Sequence, residues 1–123
     1  MGEVRSIKLV RRGEVYLVSF NPTVGKEIQK TRPALIIQND ISNRYSPITI
    51  VAPITSTLTG RLYPTEIFLQ APEGGLDVNS RVLLNQLRAV DKQRLGRRLG
   101  RTSAATMNEV DRSLLITLGL ILF

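Results

Sequence analysis

The chain has 123 residues, 42% of them hydrophobic, which suits one domain able to build its own core. It contains no cysteine, histidine or tryptophan. That excludes a thiol nucleophile, a cysteine- or histidine-based zinc site and imidazole proton transfer. Seventeen Lys and Arg against ten Asp and Glu give a formal charge of +7, an excess that favours a polyanionic partner through release of condensed counterions.

The ten carboxylates form no close pair with ligand-like spacing, so the expected chemistry uses neither metal nor cofactor. No apolar run nears the roughly 18 residues of a membrane span. The stretch Met1–Val10 lacks a continuous apolar segment ahead of a cleavage site, so the expected compartment is the cytoplasm. With no repeat or linker, residues 1–123 read as a single domain, with 1–11 as a flexible, basic lead-in.

Arg12-Gly13 precedes Glu14–Phe20, whose β-branched and aromatic content predicts a strand ended by Asn21-Pro22-Thr23. A polar loop follows over 24–31. Arg32-Pro33 then leads into Ala34–Gln38, a short apolar run typical of a buried strand. Asn39–Asn43 suits a cap and one helical turn. Ile48–Thr55 predicts another apolar strand, and Pro53, lacking a ladder donor, predicts an edge or a bulge there. Thr65–Leu69 and Arg81–Val90 predict two more strands, separated by the turn-rich Ala71–Gly75.

In the last third, Asp91 caps a helical turn over Lys92–Leu95 that Gly96 closes, and Arg94–Arg101 reads as a solvated basic face. Ser103 fits an N-cap, and Met107, Val110, Leu114, Leu115 and Leu118 recur at helical spacing before Gly119. Leu114 and Leu118 are expected in the core, and the tail Leu120–Phe123 in the core or at an interface. Short strands with one terminal amphipathic helix predict a mainly β fold with appended helices (α+β), a strongly bent antiparallel sheet or small barrel.

Three stretches, in order, resemble the MazF/PemK family of endoribonuclease toxins. They are Arg12–Val18 with Asn21–Gly25; Thr31–Asp40 continuing to Ser46-Pro47 and Ile54-Thr55-Ser56; and Leu83–Leu95 with a closing Leu118-Gly119-Leu120. The resemblance implies an SH3-like barrel acting as a homodimer, and the toxin of a type II toxin–antitoxin system. It implies metal-independent, sequence-selective cleavage of single-stranded RNA to 2′,3′-cyclic phosphate and 5′-hydroxyl ends. It also implies a cognate antitoxin whose acidic tail blocks the RNA groove. The family's catalytic pair falls on Arg32 and Thr55.

Those side chains suit the chemistry. The RNA's 2′-hydroxyl is the nucleophile, so the protein must hold geometry and stabilise charge on the phosphoryl oxygens. Arg32 offers a fork of donors for phosphate oxygens and Thr55 a neutral hydroxyl. Taken alone, Arg32 reads sooner as a surface arginine before a strand, paired with Glu27 or Glu14, and Thr55 could be a strand-end hydroxyl. Lys26 and Lys30 are candidate phosphate contacts. For base recognition the candidates are the amides of Asn85, Gln86 and Gln38, the hydroxyls of Ser56 and Ser80, and Phe20 as a stacking surface.

Asn85 departs from the family, where an acidic residue is common, and so do the basic Arg81 beside Ser80 and the apolar Leu122. Two rival readings remain. One is a toxin of the same fold that poisons DNA gyrase; such toxins use a C-terminal tryptophan, absent here. The other is a non-catalytic RNA-binding barrel.

Overall fold

The computed structural model describes residues 8–27 and 30–122. Seven strands form one antiparallel sheet: β1 (Glu14–Ser19), β2 (Thr31–Ile36), β3 (Ile48–Thr55), β4 (Glu66–Leu69), β5 (Ser80–Leu83), β6 (Arg88–Asp91) and β7 (Leu95–Arg101). Helix α1 (Asp40–Tyr45) links β2 to β3, and α2 (Ala104–Thr117) follows β7. The strand order is β4-β5-β3-β2-β1-β7, with β6 beside the first half of β3. Among the described residues no ladder joins β4 to β7, so the sheet is bent but not closed into a hydrogen-bonded barrel.

Both faces of this sheet are buried. Side chains alternate between a cluster holding Val15, Leu35, Ile37, Ala52 and Ile54 and a second holding Tyr16, Val18, Ala34, Ile36 and Val51. Helix α2 covers the first through Val110, with Met107 and Leu114 packed against it; Phe20, Val90, Leu95 and Val10 complete the second. Two-sided burial is why the run Ala34–Ile37 is apolar throughout rather than alternating. Each fully buried aliphatic side chain contributes about 1.5–3 kcal/mol.

Capping holds as the sequence predicts. Asn39 accepts from the Ser42 amide, Asp91 from that of Gln93 and Ser103 from that of Thr106, while Gly119 stops α2 in the left-handed region at φ 73°. Elsewhere the structure corrects the sequence. Pro53 is neither at an edge nor at a marked bulge: it faces Ala34 in an interior strand. Its missing donor falls where β3 passes from β6, paired up to Val51, to β5, paired from Ile54.

The run Arg81–Val90 is two strands, β5 and β6, broken by a 3-10 turn over Leu84–Gln86. The turn capped by Asp91 is a 3-10 turn over Lys92–Arg94, one residue shorter than expected, and the basic stretch after it is not only a solvated face: Leu95–Arg101 is a strand pairing with β1. Its Gly100 lets the turn Glu73–Gly75 lie directly against it, since a Cβ there would stand 2.8 Å from the Gly74 carbonyl carbon. The described end of the lead-in is packed, with Val10 buried and the Lys8 amine donating to the Gly96 carbonyl at 3.0 Å; residues 1–7 lie outside the described residues. Leu118, the C-cap residue after α2, is 57% exposed, not core. Leu120 and Leu122 are exposed as well, and Phe123 lies outside the described residues.

Candidate active site

The sheet's apolar strands end in polar residues on one side, and the candidate side chains gather there. Val18 faces Arg32 across β1 and β2. Ala34 faces Pro53 across β2 and β3; side chains alternate along a strand, so Arg32 and Thr55, each two residues further along, fall on the same face as that pair. On its other side Thr55 faces Arg81, which in turn faces Phe68. Directly opposed residues share a face of the sheet, so Arg32, Thr55 and Arg81 form one row across three strands.

Arg32 and Thr55 are both half-buried. The Thr55 Oγ1 accepts from the Thr57 amide at 3.1 Å, which orients the hydroxyl and leaves its hydrogen to donate elsewhere. Glu14, one of the alternative partners considered for Arg32, is engaged by Arg98 at 2.6 Å; the carboxylate of Glu27 accepts from the Val24 amide.

Two cavities flank this row. One, of about 450 Å³, is lined by Arg32, Ser56, Ser80, Arg97 and Arg98. The other, of about 630 Å³, is lined by Phe20, Lys26, Pro53, Asn85, Gln86 and Arg88. Thr55 lines neither, but its chain neighbours do: Pro53 the second, Ile54 and Ser56 the first. Each cavity combines arginine or lysine with hydroxyl or amide groups beside one carboxylate, Asp77 in the smaller and Glu27 in the larger, so cationic donors outnumber acids at a lining suited to phosphate oxygens and base edges.

Asn85, exposed, and Gln86, half-buried, are carried outward by the 3-10 turn that interrupts the expected long strand. Lys26 is exposed on the rim of the larger cavity. Lys30 is exposed in the left-handed region at φ 71°, its amide donating to the Asn21 side chain at 3.1 Å, and it lines neither cavity. Residues 28 and 29 of the same loop lie outside the described residues. Ser80 lines the smaller cavity, but it is buried and its hydroxyl donates to the Val78 carbonyl.

Two expectations fail. Phe20 is only 1% exposed, so its faces are not open for a base to stack on; the Arg88 guanidinium lies 5.8 Å from its ring centroid. Gln38 lies at the α1 end of the sheet, its amide donating to the Ile48 carbonyl at 3.0 Å and to the Asn43 side chain at 3.1 Å. Its role is to fasten α1. Conversely, Arg88 and Arg97 line the cavities without having been singled out. Arg88 stands two residues past Gln86 in the third matched stretch, a signal that was available. Arg97 was hidden in a segment that reads as a solvated face.

Residues 11–118 match the family of PemK-like, MazF-like toxins of type II toxin–antitoxin systems. The chain belongs to that family. Among relatives of this PemK/MazF-like toxin, endoribonuclease EndoA of Bacillus subtilis (strain 168) is 43% identical over 115 residues, spanning 94% of this chain and 99% of the relative. The crystal structure of MazF (form I) from Deinococcus radiodurans superposes with a TM-score of 0.78 at 29% identity, covering 91% and 98% of the two chains. An endoribonuclease in complex with its cognate antitoxin from a mycobacterial species gives 0.76 at 26% identity, covering 93% and 99%. Among the described residues no helix of this toxin is long and apolar enough to cross a membrane.

Proposed function

We infer that this chain is the toxin of a type II toxin–antitoxin pair and cleaves single-stranded RNA as a sequence-selective endoribonuclease. The support is the EndoA relative's activity together with the row of Arg32 and Thr55 at the strand ends, flanked by cation-lined cavities. In this reading the RNA's 2′-hydroxyl oxygen bonds to phosphorus, the bond to the 5′ oxygen breaks, and the products carry a 2′,3′-cyclic phosphate and a 5′-hydroxyl. The planar fork of N–H donors on Arg32 acts as a clamp on the phosphoryl oxygens. The Thr55 hydroxyl adds a second donor to the same developing charge. Neither role calls on a metal or a cofactor. Lys26, Arg88 and Arg97 hold flanking phosphates, and Asn85 with Gln86 reads an unpaired base.

The same reading gives the toxin two protein partners. One is an antitoxin with an acidic tail, complementary to the +7 charge. The other is a second copy, docked through the apolar surface of Leu115, Leu118 and Leu120. The cytoplasm, where messenger RNA is found, is its place of action.

The deciding experiment incubates a long single-stranded RNA with the protein in excess EDTA, beside the Arg32→Ala variant, and maps the ends. Selective cuts leaving 5′-hydroxyl ends, lost in the variant, are the expected result. Equal cutting by Arg32→Ala would overturn the assignment of that residue. No cutting by either protein would overturn the ribonuclease, and gyrase inhibition would be assayed next.

A further inference from the structure

The segment 56–65 between β3 and β4 has no regular secondary structure and is exposed from Ser56 to Pro64. It begins at the residue after Thr55, and its Thr57 amide holds the Thr55 hydroxyl. Such a segment would ordinarily sample many conformations, and the hydroxyl would share that motion. The Ser113 hydroxyl holds its far end, donating to the Pro64 carbonyl at 2.6 Å; the part nearest Thr55 is gathered by one side chain. The Arg81 Nη1 donates to the Arg61 carbonyl at 3.1 Å and to Glu66 Oε1 at 3.3 Å, and Nη2 donates to the carbonyls of Leu58 at 3.2 Å and Gly60 at 3.0 Å.

The setting favours a lasting clamp over a passing surface contact. The Arg81 and Glu66 side chains are only 11% and 14% exposed, so solvent screens their pairing less than at an open surface. Glu66 also accepts from the Tyr63 amide at 3.3 Å, tying down the far end of the loop. Arg81 faces Thr55 in the β3–β5 ladder, so the clamp is rooted beside the residue whose loop it holds. A planar guanidinium can serve several carbonyls and a carboxylate at once, which a lysine ammonium at this position cannot reproduce. Both terminal nitrogens already donate within the protein, which argues against direct phosphate binding as the main role of this arginine.

We propose that Arg81 is a positioning residue for RNA cleavage: it clamps the β3–β4 loop and, through the Thr57 amide, fixes the aim of the Thr55 hydroxyl. The proposal rests on the reading of Thr55 as catalytic. Small displacements of a catalytic group are costly, so Arg81→Leu should lower the rate of the chemical step about tenfold with little change in KM. Arg81→Lys, which keeps the charge and loses the fork, should fare little better.

The test measures cleavage of an RNA oligonucleotide carrying the mapped cut site. Single-turnover rates with enzyme in excess keep slow variants measurable, and steady-state runs supply KM. Thr55→Val should slow cleavage about a hundredfold, the size expected for one lost donor. Adding Arg81→Leu to Thr55→Val should then cost less than about twofold more, since Arg81 acts through the hydroxyl already removed. Amide exchange over 57–61 should accelerate in Arg81→Leu, and thermal melts of both Arg81 variants establish that they are folded.

Four results would overturn the proposal: full activity in Arg81→Lys, an undiminished Arg81→Leu effect on the Thr55→Val background, a raised KM at unchanged rate, or unaltered loop exchange. Full activity in Thr55→Val would instead remove the catalytic reading of Thr55, and the proposal with it. Failure of the wild type to cut RNA would overturn the ribonuclease itself.

Discussion

Asn43 is the centre of a buried polar network whose disruption has a calculable cost. Its side chain is fully buried. The Nδ2 donates to the Gln38 carbonyl at 2.8 Å and to Asp40 at 3.2 Å. The Oδ1 accepts from the Gln38 amide at 3.1 Å and from the buried Thr49 hydroxyl at 2.7 Å. The Asn43 carbonyl also accepts from the buried Lys92 amine. Asn43→Ala strands the Gln38 carbonyl and the Thr49 hydroxyl, while the Gln38 amide keeps its Ile48 partner.

Stranded buried groups cost about 1–3 kcal/mol each, so the variant should lose about 3 kcal/mol. For a domain of this length that lowers Tm by about 10 °C. Thr49→Val is the control: it removes one donor and leaves Asn43 Oδ1 satisfied by Gln38, so it should cost about 1 kcal/mol. The assay is chemical denaturation with thermal melts, alongside RNA cleavage well below Tm. A loss below about 1 kcal/mol for Asn43→Ala would refute the accounting. Altered RNA sequence preference at intact stability would refute the placement of Gln38 and α1 outside the site.

Glu73 ties the turn before β5 to the start of α2, accepting from the Ser103 amide and from the Ser103 and Thr106 hydroxyls. Burial raises its pKa, but those three donors outweigh burial and hold it below the ordinary glutamate value. The stability it confers is therefore present above that ordinary value and lost as pH falls through the lowered one. Glu73→Gln should cost about 1–2 kcal/mol at neutral pH and flatten that part of the acid stability profile, read by denaturant titration from pH 7 to pH 3. Gly75 has φ 74°, and a Cβ there would stand 1.9 Å from the Leu99 carbonyl oxygen. Gly75→Ala should thus cost about 3 kcal/mol or more, against about 1 kcal/mol for Gly60→Ala in open space, in paired thermal melts. Asn85→Ala should leave Tm unchanged and alter which RNA sites are cut, whereas an unchanged cleavage map would remove that residue from base recognition.

The sequence exposed its apolar strands and its caps readily, because β1 to β3 carry β-branched runs and Asn39, Asp91 and Ser103 stand at helix starts. It concealed β7, whose Leu-Gly-Arg-Arg-Leu-Gly-Arg lacks alternation because the pairing with β1 is broken by register shifts and because Gly100 answers to a neighbouring turn. The roles proposed for Arg32 and Thr55 rest on the family pattern, since an arginine before a strand and a threonine after one carry little signal alone. Gln38 and Phe20 misled for one reason. Residue type announces what a side chain can bind, but burial and prior partners decide what is left to bind it, and those are set by strands distant in sequence.

The row Arg32–Thr55–Arg81 follows from how the sheet is buried. Because apolar clusters occupy both faces of β2 and β3, those two strands are committed along their middles, and their exposed polar groups stand near the ends. On β2 the exposed Thr31 and half-buried Arg32 precede the buried Ala34–Ile36; on β3 the buried Val51–Ile54 precede Thr55. Antiparallel pairing places the start of β2 beside the end of β3, so one donor from each strand arrives at the same edge of the core. A one-residue slip of β2 against β3 would turn Arg32 to the opposite face and bury the wrong set of side chains. The hydrophobic core therefore enforces the register on which the proposed pairing of Arg32 with Thr55 depends, and the β5 ladder adds Arg81 to the same face.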